Sequence, residues 1–212
     1  MTIAIPRLDR TTAAERGLTL ADFLVPIRVG ERINSRIRDI VLVLIGVAIV
    51  AVCAQIFIPI KPVPFTGQTF GVLMVGGALG LRRGAMALAL YVLLGAFGLP
   101  IFAQAKSGTD IVFGPSGGYL IGFVLAAAVV GRLAELGWDR HIAGSIGAML
   151  IGSALIYAVG LPWLGVVGHF SLEDTIAFGL TPFLAWDAAK LAVAAGLFPA
   201  AWWRIGRRPD DR

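Results

Sequence analysis

"IVLVLIGVAIVAVCAQIFIPI", Ile40 to Ile60, runs for 21 residues without a charged side chain. A helix needs about 20 mostly apolar residues to cross the hydrocarbon core of a bilayer, so this stretch is long enough for one crossing. The signature recurs at 62–81, 84–105, 111–131, 141–172 (both histidines neutral), 175–186 and 191–203. With 58% hydrophobic and 15% charged residues, the 212-residue chain is too apolar for an ordinary soluble domain. The pattern predicts an all-α polytopic membrane protein.

Turn and charge signals divide the runs into six helices. They are expected at 40–58, ended by Pro59; at 67–80, broken by Arg82 and Arg83; and at 84–98, stopped by Gly98-Leu99-Pro100. The rest are expected at 116–136, 141–162 and 181–205. A transmembrane domain over 40–206 then lies between a polar N-terminal tail, 1–39, and a short C-terminal tail, 207–212. The tail holds seven arginines and five acids, and its first apolar run starts too late for a secretory signal peptide. Its second half, "LADFLVPIRVGERINSRIRDI", reads either as a helix on the membrane surface or as a loose tail.

Sidedness follows from the cations. With six crossings, 15 Lys and Arg residues fall on the side of the two termini and only Lys61 and Lys106 on the other. The positive-inside rule places both termini in the cytoplasm, and five or seven crossings would spoil the asymmetry. The basic residues flank apolar spans instead of clustering on a soluble face, which argues for membrane topology and against a nucleic-acid partner despite a pI near 10.0. The lone Cys53 lies within a span and implies no disulfide framework. Gly76 and Gly80, and the series Gly144, Ala148, Gly152, mark close helix packing.

Two charges interrupt the last span, in "LAWDAAKLAV": Asp187 and Lys190. Each costs about 2.5–3.5 kcal/mol near the bilayer centre on insertion scales, and such residues mark functional cavities. Three positions apart, they share a helix face and can neutralise each other. Gly114-Pro115-Ser116-Gly117 matches the G-x-S-G of rhomboid intramembrane proteases, which makes Ser116 a candidate nucleophile. That chemistry needs a histidine within hydrogen-bond reach. The histidines are His141, on the basic side, and His169, in an outer loop. Ser116 therefore reads as a turn residue. Nucleotide-binding and metal motifs are missing, so neither a cofactor nor a metal is expected and the chain reads as a binder or carrier, not an enzyme.

"IPIKPVPFTGQTFGVLMVGGALGLRRGAMALALYVLLGAFGLPIFA", "FGPSGGYLIGF" and "WDAAK", in that order, resemble the BioY family, the biotin-specific S components of energy-coupling factor (ECF) transporters. The resemblance runs from about Gln55 to Lys190 and leaves 1–39 uncovered. It implies six helices in the bacterial cytoplasmic membrane, biotin bound near the outer face, a transmembrane coupling (T) subunit, and cytoplasmic ATPases as the source of energy. It also implies substrate contacts at Asp187 and Lys190, at Gly117, Gly118 and Tyr119 of the glycine-rich turn, and at Thr66 and Gln68 of the P-V-P-F-T-x-Q-T motif. The A-x-x-x-A face by which related S components dock is absent from the first helix.

Biotin's chemistry suits such a set. Asp187 can accept its ureido N–H groups, and Lys190 can donate to its ureido carbonyl or carboxylate. Gln104 and Lys106 are candidates for the carboxylate, Tyr119 for covering the ring, and the amides that open the fourth helix for further donation. Tyr157, Trp163 and Trp186 read as an interfacial aromatic belt. An S component for another vitamin is the alternative within transport, and a membrane protease the alternative outside it.

Overall fold

The computed structural model describes residues 18–24 and 35–206. Helix α1 (Leu20–Leu24) precedes α2 (Ser35–Gln55). A two-stranded antiparallel ribbon follows, β1 (Phe57–Ile58) against β2 (Phe65–Thr66), with Phe57 opposite Thr66. Then come α3 (Gln68–Ala96), α4 (Thr109–Phe113), α5 (Gly117–Glu135), α6 (Ile142–Gly168), α7 (Leu172–Gly179) and α8 (Thr181–Gly206). Single 3₁₀ turns stand at Ala103–Ala105 and Trp138–Arg140. Among the described residues, five helical segments are long and apolar enough to cross a membrane.

One of them, α3, is doubled back on itself. Gly80 has φ 83° and ψ −179°, a backbone region open only to glycine. Beyond it the chain reverses: Gln68 Nε2 donates to Tyr91 Oη at 2.7 Å, although a straight helix would part the two by roughly 35 Å. The halves pack closely enough that a Cβ on Gly84 would lie 3.1 Å from Gly76 Cα. The sequence break expected at Arg82-Arg83 falls two residues earlier, at the one residue able to make the turn. Glu135 receives the freed Leu81 N–H on Oε1 at 2.9 Å, capping the second half.

The small residues serve internal packing. A Cβ on Gly76 would meet the Ala127 backbone at 2.7 Å, and one on Gly152 would meet Leu73 and Val130 side chains at 2.5 and 2.6 Å. The core runs through Val50, Val72, Leu88, Tyr91, Ala126, Ile156 and Leu164, all buried. Isoleucine, valine and leucine side chains at 40, 41, 44, 45, 49 and 52 on α2 face outward. A helix apolar on its outer face suits lipid.

Residues 18–24 dock against the Gly80 turn. Leu20 packs with Trp202 and Phe198, Asp22 accepts from Arg83 Nη1 at 2.9 Å, and Arg140 Nη2 donates to the Leu18 carbonyl at 3.1 Å. Residues 1–17, 25–34 and 207–212 lie outside the described set. Helix α2 starts at Ser35, inside the expected tail, because Arg38 and Asp39 find partners in Asp22 and Arg83. Helix α6 runs past Pro162 to Gly168, where its end was expected at the proline. Proline is tolerated inside membrane helices because neighbours satisfy the freed backbone groups.

Candidate functional site

At the opposite end from α1, the β1–β2 ribbon, the 97–116 loop and the first turns of α5 close around a cavity of about 160 Å³. Its apolar lining comes from Val63, Phe102, Ile111, Leu120, Phe123 and Phe183. Thr66, Gln68, Gln104, Lys106, Asp110, Ser116, Tyr119 and Tyr157 add the polar groups. Lys106 and Asp110 are exposed and mark the mouth.

A hydrogen-bonded chain fixes one wall. Thr66 Oγ1 donates to Gln68 Oε1 at 3.0 Å and accepts from Gln68 N at 3.3 Å. Gln68 Nε2 donates to Tyr91 Oη, which donates to the Ile101 carbonyl at 3.0 Å. Buried polar atoms are stable only when paired, and Gln68 reaches its partner because the Gly80 reversal brings Tyr91 back beside it. On another wall, Tyr119 spends its hydroxyl on the Gly179 carbonyl at 2.9 Å, leaving its ring to face the cavity.

Asp187 and Lys190 meet as the sequence predicted, Nζ to Oδ1 at 3.1 Å. Neither lines the cavity. They stand one layer behind it and bond to the residues that do. Lys190 Nζ donates to the Thr66 carbonyl at 2.7 Å and to Thr69 Oγ1 at 3.0 Å, and lies 4.3 Å from the centre of the Phe65 ring. Asp187 accepts from Tyr157 Oη on Oδ2 and from Thr69 Oγ1 on Oδ1 at 3.2 Å. The buried Asp187 and the half-buried Lys190 thus have a full set of partners, the condition for holding an ion pair away from water.

Of the sequence-predicted residues, Thr66, Gln68, Gln104, Lys106 and Tyr119 line the cavity, whereas Gly117 and Gly118 do not. A Cβ on Gly118 would lie 2.3 Å from Trp163 Cβ, and one on Gly117 would lie 1.9 Å from the Val112 carbonyl oxygen. The two glycines let the start of α5 press on α6 and on the end of α4. The Gly117 amide, expected as a donor, bonds the Gly114 carbonyl instead. Two of the three belt residues also turn inward. Tyr157 bonds Asp187, and Trp163 Nε1 donates to the Gly114 carbonyl at 2.9 Å, while Trp186 is exposed beside Phe65.

Sequence reasoning missed Tyr157, Asp110 and the aromatic lining. Asp110, an acid in a charge-poor outer loop, was the one with a visible signal. Ser116 sits in the wall ahead of α5 and makes no side-chain hydrogen bond to a described residue. No group of three or more metal-ligating side chains occurs among the described residues.

A family model described as BioY matches residues 27–207. The chain belongs to the BioY family. It is 42% identical to the biotin transporter BioY of Thermotoga maritima, over 74% of this chain and 92% of that protein. It is 36% identical to the biotin transporter BioY of Rhizobium etli, over 74% and 89%. A crystal structure titled as the S-component for biotin from an ECF-type ABC transporter superposes with a TM-score of 0.72 at 25% identity, covering 79% of this chain and 92% of that one. BioY membership and the long apolar helices together make this a multi-pass protein of the cytoplasmic membrane. Its BioY relatives are named as transporters.

Proposed function

We propose that this chain binds biotin for uptake, as the substrate-specific S component of an ECF transporter. The observation that carries the reading is the cavity itself: aromatic and aliphatic walls, one cation at the mouth, and paired polar groups at the back. Ligand pockets of this type are mostly apolar with a few placed polar groups that fix orientation. Biotin's bicycle matches Phe102, Leu120, Phe123 and the Tyr119 ring. Its carboxylate matches Lys106 and Gln104, and its ureido group matches the wall made by Thr66, Gln68 and Tyr157. Asp187 and Lys190 serve as the back of that wall, fixing Tyr157 and Thr66 in position. The 42% identity to a named biotin transporter over three quarters of the chain supports the choice of ligand.

The same reading gives six crossings with both termini cytoplasmic, supported by the Gly80 reversal and by the 15 basic residues on one side against two on the other. Energy comes from partners, a transmembrane coupling subunit and cytoplasmic ATPases. Equilibrium dialysis of detergent-purified protein against radiolabelled biotin tests the proposal. Saturable binding displaced by unlabelled biotin, and not by thiamine or riboflavin, is expected. Monodisperse protein that binds no biotin would overturn it.

A further inference from the structure

Lys106 and Gln104 reach the cavity mouth from a stretch of backbone that is unusual in its own right. Gln104 and Ala105 are consecutive non-glycine residues with positive φ, 63° and 52°. Side chains disfavour that conformation, and it persists only where the surroundings hold it. Three supports can be named. Tyr91 Oη bonds the Ile101 carbonyl, and the Phe102 ring packs where a Cβ on Gly95 would come within 2.2 Å of it. The third support comes from another helix. Gln55, the last residue of α2, donates from Nε2 to the Phe102 carbonyl at 3.1 Å and to the Ala51 carbonyl at 3.2 Å. Its Oε1 accepts from Ala105 N at 3.1 Å. One carboxamide thus spans both ends of the turn. It adds to the bridge between Phe102 and Lys106, in which Phe102 N donates to the Lys106 carbonyl at 3.0 Å.

Gln55 does not line the cavity. We propose that Gln55 is a positioning residue for ligand binding: its side chain holds the Gln104–Ala105 turn in its left-handed form and so sets Lys106 and Gln104 at the cavity mouth. The group positioned there is a cation with an amide beside it, which fits the carboxylate end of the ligand. Asp110, at the same mouth, carries the opposite charge and penalises an anion that is not drawn to Lys106. Apart from Phe102, whose carbonyl Gln55 holds, the apolar walls are built from other elements. Loss of Gln55 therefore weakens recognition of the ligand's charge more than recognition of its ring.

This inference rests on the biotin reading, and its test separates the two. Dissociation constants for biotin and for biotin amide, which keeps the ring and lacks the charge, are measured on the full chain in detergent. The parent is expected to prefer biotin, and Lys106→Met to abolish most of that preference. Gln55→Met is expected to weaken biotin by roughly fivefold or more and the amide by much less, so that the preference collapses toward that of Lys106→Met. Gln55→Asn, one methylene short of reaching both Phe102 and Ala105, carries the same expectation if the methionine variant does not fold. A variant that keeps the parent's biotin-to-amide ratio, whether both affinities hold or both fall together, overturns the positioning role. A parent that binds neither compound overturns the biotin reading instead.

Discussion

Neutralising the Asp187–Lys190 pair separates structure from ligand binding. Lys190→Met removes three hydrogen bonds and leaves the Asp187 carboxylate, 7% exposed, with Tyr157 and Thr69 as its donors. Asp187→Asn leaves Lys190, 16% exposed, with the Thr66 carbonyl and Thr69 Oγ1. Stranding one member of a buried pair costs about 3–5 kcal/mol, and the two remaining partners put each single variant near the lower end. The double variant strands no charge, so it should recover roughly 2–3 kcal/mol relative to the sum of the singles. Biotin affinity should not recover with it. With the lysine gone, the Thr66 carbonyl loses its anchor, and binding is expected to fall about tenfold, or 1.4 kcal/mol. Denaturation in micelles and biotin affinity on the same four proteins give both numbers. Strictly additive losses would refute the ion pair. A stable double variant that binds biotin as the parent does would remove both residues from the site.

Gly80→Ala should destabilise the protein by about 2 kcal/mol or more, since it forces a Cβ into a glycine-only conformation and within 2.8 Å of Glu135 Oε1 and Thr19 Cγ2; melting in detergent measures it. At the other end of the chain's polar contacts, burial pushes the Asp139 carboxyl up to about 6, against the pull of Trp202 Nε1, which donates to it at 2.6 Å, and of the Arg140 charge. The folded chain then holds a proton between pH 4 and 6 that the unfolded chain releases, so stability should fall as pH rises through that window and level off above it. Asp139→Asn should flatten the slope, as unfolding at stepped pH will show. Reporter fusions at Arg83 and Arg212 should read cytoplasmic and one at Lys106 external; an external C-terminus would discard the six-crossing topology.

Much of the fold was legible because lipid imposes a one-dimensional rule: each crossing must be a charge-poor run of set length. The rule fails where tertiary partners relax it. Arg38 and Asp39 extend α2 into a charged stretch because Asp22 and Arg83 meet them, and those contacts are set by residues distant in sequence. Pro162 looks like a stop, yet α6 continues through it, as membrane helices can. At the site, Asp187 and Lys190 announced themselves by charge, and Gln104 and Lys106 by their outer loop. Tyr157 carried no such mark. An aromatic side chain in a membrane helix has the same local sequence whether it faces lipid headgroups or a buried carboxylate, and only the rotation of α6 decides between them.

The bond from Lys190 to the Thr66 carbonyl also orders events during biosynthesis. Its two ends are 124 residues apart. At about 5–20 residues per second, a ribosome needs roughly 6–25 s to travel that distance. Through that interval the Thr66 carbonyl lacks the ammonium that will later hold it. The ligand chamber is therefore completed last, by the final helix, and a chain truncated before Lys190 should insert yet never assemble a competent chamber.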